Sequence, residues 1–176
     1  MKVTAQEEYG LRCMLQLARD HGGSPLLSRT IADREGLSTD YVKKLLMCLR
    51  HEGLVDSIRG VKGGYTLSRA PERITAGQVL AALCEDTGVL NSPGDQLCKQ
   101  YSGQRAVCIH VGECGIRPMW NAVEGYISRM LAGITLRDLL QEEICVESLC
   151  HQTVTGQSEA GDLEPEELQD TKILKS

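Results

Sequence analysis

Two short helical patterns in residues 28–51 are separated only by Gly36, Leu37 and Ser38, and that link limits the fold more than any other feature of the chain. So short a connection makes the helices pack on one another at a steep angle, as in a helix-turn-helix. In "SRTIADREGLS", Ser28 is placed as an N-cap, Ile31 and Ala32 face inward, and Gly36 ends the helix. In "STDYVKKLLMCLRHEG", Val42, Leu45, Leu46 and Leu49 share one face, with Tyr41, Lys43 and Lys44 exposed elsewhere. The period then changes. Leu54, Val55, Ile58, Tyr65 and Leu67 form two strand-like runs around "RGVKGG", where Gly60, Gly63 and Gly64 permit a tight hairpin. Helix, short turn, helix and basic glycine-tipped hairpin, in that order, predict a winged helix-turn-helix: a mainly α fold with a small β wing.

The other periodic segments supply its partners. "EEYGLRCMLQLARDHG" places Leu11, Met14, Leu15 and Ala18 at helical spacing, with Gly22 and Gly23 as a stop. "ITAGQVLAALCED" is a further short helix with Thr75 as its cap. Phe is absent and Trp occurs once, so Leu, Ile, Val and Met must fill the core, which suits helices. Residues 86–117 carry no sustained period. From Pro118 the pattern returns, with Trp120, Val123, Ile127, Met130 and Leu131 recurring before Gly133. That stripe exceeds what the N-terminal core needs, so it is expected to pack on a second copy of the chain. "ITLRDLLQEE" reads as one more short helix from Thr135. The expected organisation is a DNA-binding domain over 1–85, a cysteine-rich loop over 86–117, and a dimerisation helix with a short C-terminal helix over 118–145. An acidic, disordered tail is expected over 151–176.

Charge separates the halves. Residues 1–80 carry 12 Lys and Arg against 9 Asp and Glu, a net of +3, while the rest carry 7 against 15, a net of −8. The basic half holds the winged motif, which makes double-stranded DNA the expected partner. Thr39 and Tyr41, near the start of the second helix, are placed to bond phosphate or base edges, and Lys43 and Lys44 to contact phosphates. Arg59, Gly60 and Lys62 form the wing tip, where a guanidinium reaches a narrow minor groove. Asp40 either accepts from a cytosine amino group or caps the helix. No run of about 18 apolar residues occurs, and the N-terminus lacks the apolar stretch of a signal peptide. The expected location is therefore cytoplasmic. No nucleophile–base pair, phosphate loop or paired carboxylates mark an enzyme.

There are eight cysteines. Cys13, Cys48 and Cys84 sit in apolar helical patterns, where cysteine acts as a small buried hydrophobe. Cys98, Cys108 and Cys114 lie in the aperiodic, glycine-containing loop, and clustered thiolates there suit iron–sulfur or zinc. Cys145 and Cys150 stand as extra ligands, a redox pair or bystanders.

Across residues 1–140, the pieces "MKVT", "LSTDYVKKLL", "LVDSIRGVKGGYTLSR", "ITAGQVLAAL", the cysteine loop, "MWNAVEGYISRML" and "ITLRDLL" follow one another in a known order. In this the chain resembles the Rrf-type winged helix-turn-helix transcriptional regulators, which include the IscR-like and NsrR-like iron–sulfur regulators. The resemblance implies a homodimer on a palindromic promoter site, with the long helix from Pro118 crossing to its partner. It also implies a 2Fe–2S or 4Fe–4S cluster on Cys98, Cys108 and Cys114 that senses redox state, nitric oxide or iron–sulfur status. Cys108 and Cys114 keep the family's spacing, and Trp120 follows where the family pattern has it. Nine residues separate Cys98 from Cys108, more than the family usually has. The histidine that serves IscR-like members as fourth ligand is replaced by Arg117, whose guanidinium stays protonated. NsrR-like members instead take a carboxylate from the partner's first helix, at the position of Glu8. Glu8 is thus the candidate fourth ligand and His110 its rival, while His21 and His51 are read as surface residues. A cluster-free thiol-sensing or enzyme-docking regulator and a zinc-stabilised interaction module are the alternatives.

Overall fold

Helix α1, Ala5–Arg19, starts from a reciprocal cap. The Thr4 Oγ accepts the Glu7 N–H at 3.2 Å, and the Glu7 carboxylate accepts the Thr4 N–H at 2.7 Å and its hydroxyl at 2.9 Å. This occupies the otherwise orphaned donors of the first turn and lets the Glu7 carboxylate be fully buried. The computed structural model describes residues 3–60, 63–83, 102, 104, 108–110, 113–141, 147–148 and 150–151. Cys84, Cys98, Lys62, Cys145 and the 152–176 tail lie outside the described residues, as does most of the 86–117 loop.

The inward face of α1 differs slightly from the sequence reading. Cys13, Met14, Leu17 and Ala18 are buried, while Leu11 and Leu15 are only half-buried. The stripe shifts because α1 packs on both α3 and α4, and Gly10 faces the latter. A Cβ at Gly10 would stand 2.1 Å from Leu83 Cδ1, so a larger residue there must displace the buried Leu83 side chain.

Helix α2 is Ser28–Glu35 and α3 is Thr39–His51. The expected cap at Ser28 is corrected: Leu27 occupies the N-cap position and no side chain caps α2. The cause is tertiary. Leu26 exchanges backbone hydrogen bonds with Tyr65 at 3.0 and 2.8 Å, holding the chain extended up to Leu27. Gly36 ends α2 in the left-handed region at φ 67°, as the glycine stop requires. Ser38 Oγ accepts the Tyr41 N–H at 3.2 Å and caps α3, so Asp40 is not the cap and instead pairs with Lys43 at 3.3 Å.

Strands β1, Val55–Ile58, and β2, Gly64–Leu67, pair antiparallel from Val55↔Leu67 to Ile58↔Gly64. A Cβ at Gly63 would lie 2.3 Å from the Ile58 carbonyl oxygen, which reserves that turn position for glycine. After a 3-10 turn at Pro71–Arg73 comes α4, Ala76–Leu83, capped by Thr75: its Oγ accepts the Gln78 N–H at 3.3 Å. Helix α5 runs Ile116–Gly133, starting two residues before Pro118, and in the first turn a missing N–H costs nothing.

The expected helix from Thr135 is a single 3-10 turn, Asp138–Leu140. Thr135 is held extended against Thr75, and flanking bonds run from the Ala76 N–H to the Ile134 carbonyl and from the Leu136 N–H to the Ile74 carbonyl, both 2.8 Å. Only after this clasp does the chain turn, with Asp138 capping Thr135 at 2.7 and 2.9 Å. The core is aliphatic, with Ile31, Val42, Leu45, Leu46, Leu49, Ile74, Val79, Leu83 and Leu136 buried to within 1%. No helix among the described residues is long and apolar enough to cross a membrane.

Cys13 is part of that core, as its pattern predicts, and Cys48 is half-buried beside it. Burial pushes the Cys13 thiol from 9.0 up to about 12. Between those values the unfolded chain has released the proton and the native chain has kept it. Stability therefore falls as pH rises above about 9, by roughly 1.4 kcal/mol per unit from this group. Chemical denaturation from pH 8 to 11 should show a steeper decline for the native sequence than for Cys13→Ala. Equal slopes would mean that Cys13 ionises in the folded protein as it does in the unfolded one.

Candidate nucleic-acid interface and cysteine site

Helix α3 is two-faced because its buried residues, Val42, Leu45, Leu46 and Leu49, recur on one side. The opposite side carries Asp40, Lys43, Lys44, Met47, Arg50 and His51, all exposed. Lys43 is partly neutralised by Asp40, but both side chains are more than half exposed, at 56% and 93%, so the pair is weak and separable. Thr39 is half-buried at the helix start.

Tyr41 departs from the sequence reading of an exposed side chain. It is half-buried and stands edge-on to Tyr9 of α1, with ring centroids 6.2 Å apart. Position 41 adjoins the buried stripe where α1 crosses, so the ring covers apolar surface there. It therefore ties the start of α3 to α1.

Beside α3 the β1–β2 hairpin carries Arg59 exposed at its tip and Gly60 at φ 108°. Arg59 thus projects from the same sheet that holds Leu26 and the entry to α2. Lys62 lies outside the described residues.

Met47 was missed by the sequence reading. It is 64% exposed, although it sits in the apolar run "LLMCL" that reads as core. The available signal was its distance from Lys43 and Lys44, which places it on their face.

The thiols lie elsewhere. Cys108 and Cys114 are both free and half-buried, and Cys114 directly precedes Gly115, the N-cap of α5. The Glu113 N–H donates to the His110 carbonyl at 3.2 Å, and the His110 side chain is exposed. Cys150 is half-buried, near the C-terminal end of the described residues. Among the described residues no three metal-ligating side chains come together. Two free, partly accessible thiols are nonetheless the soft donors that an iron–sulfur cluster takes, and Cys98, the third expected donor, lies outside the described residues. Glu8 is exposed on α1 and holds Arg12, whose Nε and Nη2 donate to its carboxylate at 2.8 and 2.7 Å. The Arg12 guanidinium also lies 5.7 Å from the centre of the Tyr9 ring. Glu8, Arg12, Tyr9 and Tyr41 therefore form a chain of contacts from the surface of α1 to the start of α3.

Helix α5 has no buried residue along its 18 positions. Ile116, Met119, Trp120, Val123 and Tyr126 are all exposed by more than 40%. At its far end α5 passes close to α4, where a Cβ on Gly77 would meet the Ala132 nitrogen at 3.3 Å.

The sequence matches the family described as "Rrf2: Iron-dependent Transcriptional regulator" over residues 3–142. It is 34% identical to the HTH-type transcriptional regulator CymR of Bacillus subtilis over 139 residues, covering 79% of this chain and 89% of CymR. Identity to the HTH-type transcriptional regulator IscR of Aliivibrio salmonicida is 32% over 140 residues, with 80% and 77% covered. The solved structure of IscR from T. potens superposes with a TM-score of 0.62 at 31% identity, over 80% of this chain and 86% of that one. The winged helix-turn-helix and the match across nearly the whole described chain agree: the protein belongs to the Rrf2 family of transcriptional regulators.

Proposed function

We propose that the chain acts as a homodimer that binds a palindromic promoter site and adjusts its affinity through an iron–sulfur cluster. The observation that carries this is the pairing of two surfaces: an α3 face with its lysines beside a basic wing, and a long α5 with no buried residue. In this reading α3 enters the major groove, where Thr39 and the Tyr41 edge meet backbone or base edges and Lys43 and Lys44 meet phosphates. Arg59, Gly60 and Lys62 lay the wing along the backbone or into the minor groove. The α5 stripe of one copy packs on that of the other, which sets the distance between the two α3 helices.

Cys98, Cys108 and Cys114 would hold the cluster, with Glu8 from the other copy as fourth ligand and His110 as the alternative. When bound, a cluster supplies redox and nitric-oxide chemistry. The chain's own part is mechanical. As a ligand Glu8 would share or give up its bonds to Arg12, and Arg12 rests on Tyr9, which touches Tyr41 at the head of α3. A carboxylate that changes partners at Glu8 therefore acts on the recognition helix through two contacts. The chain's place in its cell follows from DNA as partner, and is read as cytoplasmic.

Visible absorption of anaerobically purified protein, with iron and sulfide assayed together, tests the cluster. Visible bands are expected from thiolate–iron ligation, and they should vanish in Cys108→Ser and Cys114→Ser. A protein that remains colourless after reconstitution would contradict the cluster. The second reading, a cluster-free thiol-based regulator, is supported by Arg117 at the histidine position and by the similarity to CymR.

Phosphate contact has its own signature. Replacing Lys43 and Lys44 with Ala should reduce the slope of log affinity against log salt by about 0.9 per lysine lost. An unchanged slope would remove both from the interface.

A further inference from the structure

Met47 is an anomaly on its own helix. A large apolar side chain exposed by 64% loses the stabilisation of burial, and its helix has a fully buried face that could have used it. Its neighbours on the same face are Lys43 and Lys44 one turn before and Arg50 and His51 one turn after, all exposed. It is therefore the one uncharged, apolar residue in the middle of a charged strip. The exposed stripe that calls for a second copy is on α5, so dimer packing does not account for it.

In the major groove the base edges present hydrogen-bond donors and acceptors, with a single apolar feature, the 5-methyl group of thymine. Methionine is unbranched and polarisable, suited to lying against such a methyl with imperfect register. Lys43 and Lys44, one turn nearer the helix N-terminus, can bond guanine O6 and N7 or the flanking phosphates.

We propose that Met47 is a specificity-determining residue that reads a thymine methyl near the centre of each half-site. This rests on the DNA-binding reading above and deepens it by naming one base. Neither Lys43 nor Lys44 can make this discrimination, because neither offers an apolar surface at its end.

The experiment is enrichment of duplexes from a randomised pool by the full-length protein and by Met47→Ala and Met47→Leu. Affinities then follow on the enriched site with that thymine replaced by uracil, which lacks only the methyl. Met47→Ala should lose the preference for thymine at one base pair per half-site, and Met47→Leu should keep it. Uracil should weaken the native protein about threefold to fivefold, the size of one lost methyl contact, and leave Met47→Ala unaffected. Met47 is exposed, so thermal midpoints of the variants should match the native one. Identical enriched sites for native protein and Met47→Ala, or an equal uracil penalty in both, would overturn the proposal while leaving DNA binding intact. If the native protein enriches no sequence, the DNA-binding reading itself falls.

Discussion

Trp120→Glu combined with Val123→Glu should convert the proposed dimer to a monomer and lower its affinity for a palindromic site by roughly 10²–10⁴, the gain normally supplied by a second linked half-site. Both side chains are more than 40% exposed on α5, and neither supports the core. The winged domain should therefore remain folded, its thermal midpoint lowered only by the lost contribution of association, and should still bind a single half-site weakly. The dimer should be lost because the contact would bury these carboxylates in apolar surroundings without partners. Sedimentation velocity and fluorescence anisotropy on the same samples measure both halves of the expectation. A double variant that stays dimeric would place the interface elsewhere than the α5 stripe.

Leu136→Ala should cost about 2–5 kcal/mol, the range for removing a fully buried leucine. Leu136 is 0% exposed and lies in the short extended clasp that joins the end of α5 to the segment before α4. Its loss leaves a hole beneath the clasp and loosens the end of α5 from the winged domain. Leu139→Ala, one turn on and only half-buried, should cost about 1 kcal/mol. Urea unfolding checks this: the Leu136→Ala midpoint should fall with little change in slope. Equal small effects at both positions would mean that the clasp does not carry load.

Features with local causes were legible before folding. The α3 stripe, the glycine-reserved hairpin, the Thr75 cap and buried Cys13 each depend on residues within a turn or two of one another. The features that differ are tertiary. Ser28 loses its capping role because Leu26 pairs with Tyr65, thirty-nine positions away. Tyr41 turns inward because α1 crosses there. The helix expected from Thr135 shrinks to a turn because Thr135 is bridged to Thr75. Glu7 was legible and overlooked, since Thr4 and Glu7 have capping-box spacing, while the neighbouring Glu8 attracted the functional reading. The cysteine site is the least legible part. Its three cysteines fall within 17 residues, but Cys98 lies outside the described residues and the fourth donor is expected from another copy, so no local pattern fixes the site.

Hydroxyl-radical footprinting of the native protein on a duplex enriched from a randomised pool reads the number and spacing of bound α3 helices. Two protected patches related by two-fold symmetry are expected, their centres about 34 Å or a multiple of it apart on one face of the duplex. A single patch, or protection without symmetry, would contradict a dimer that reads DNA through paired α3 helices.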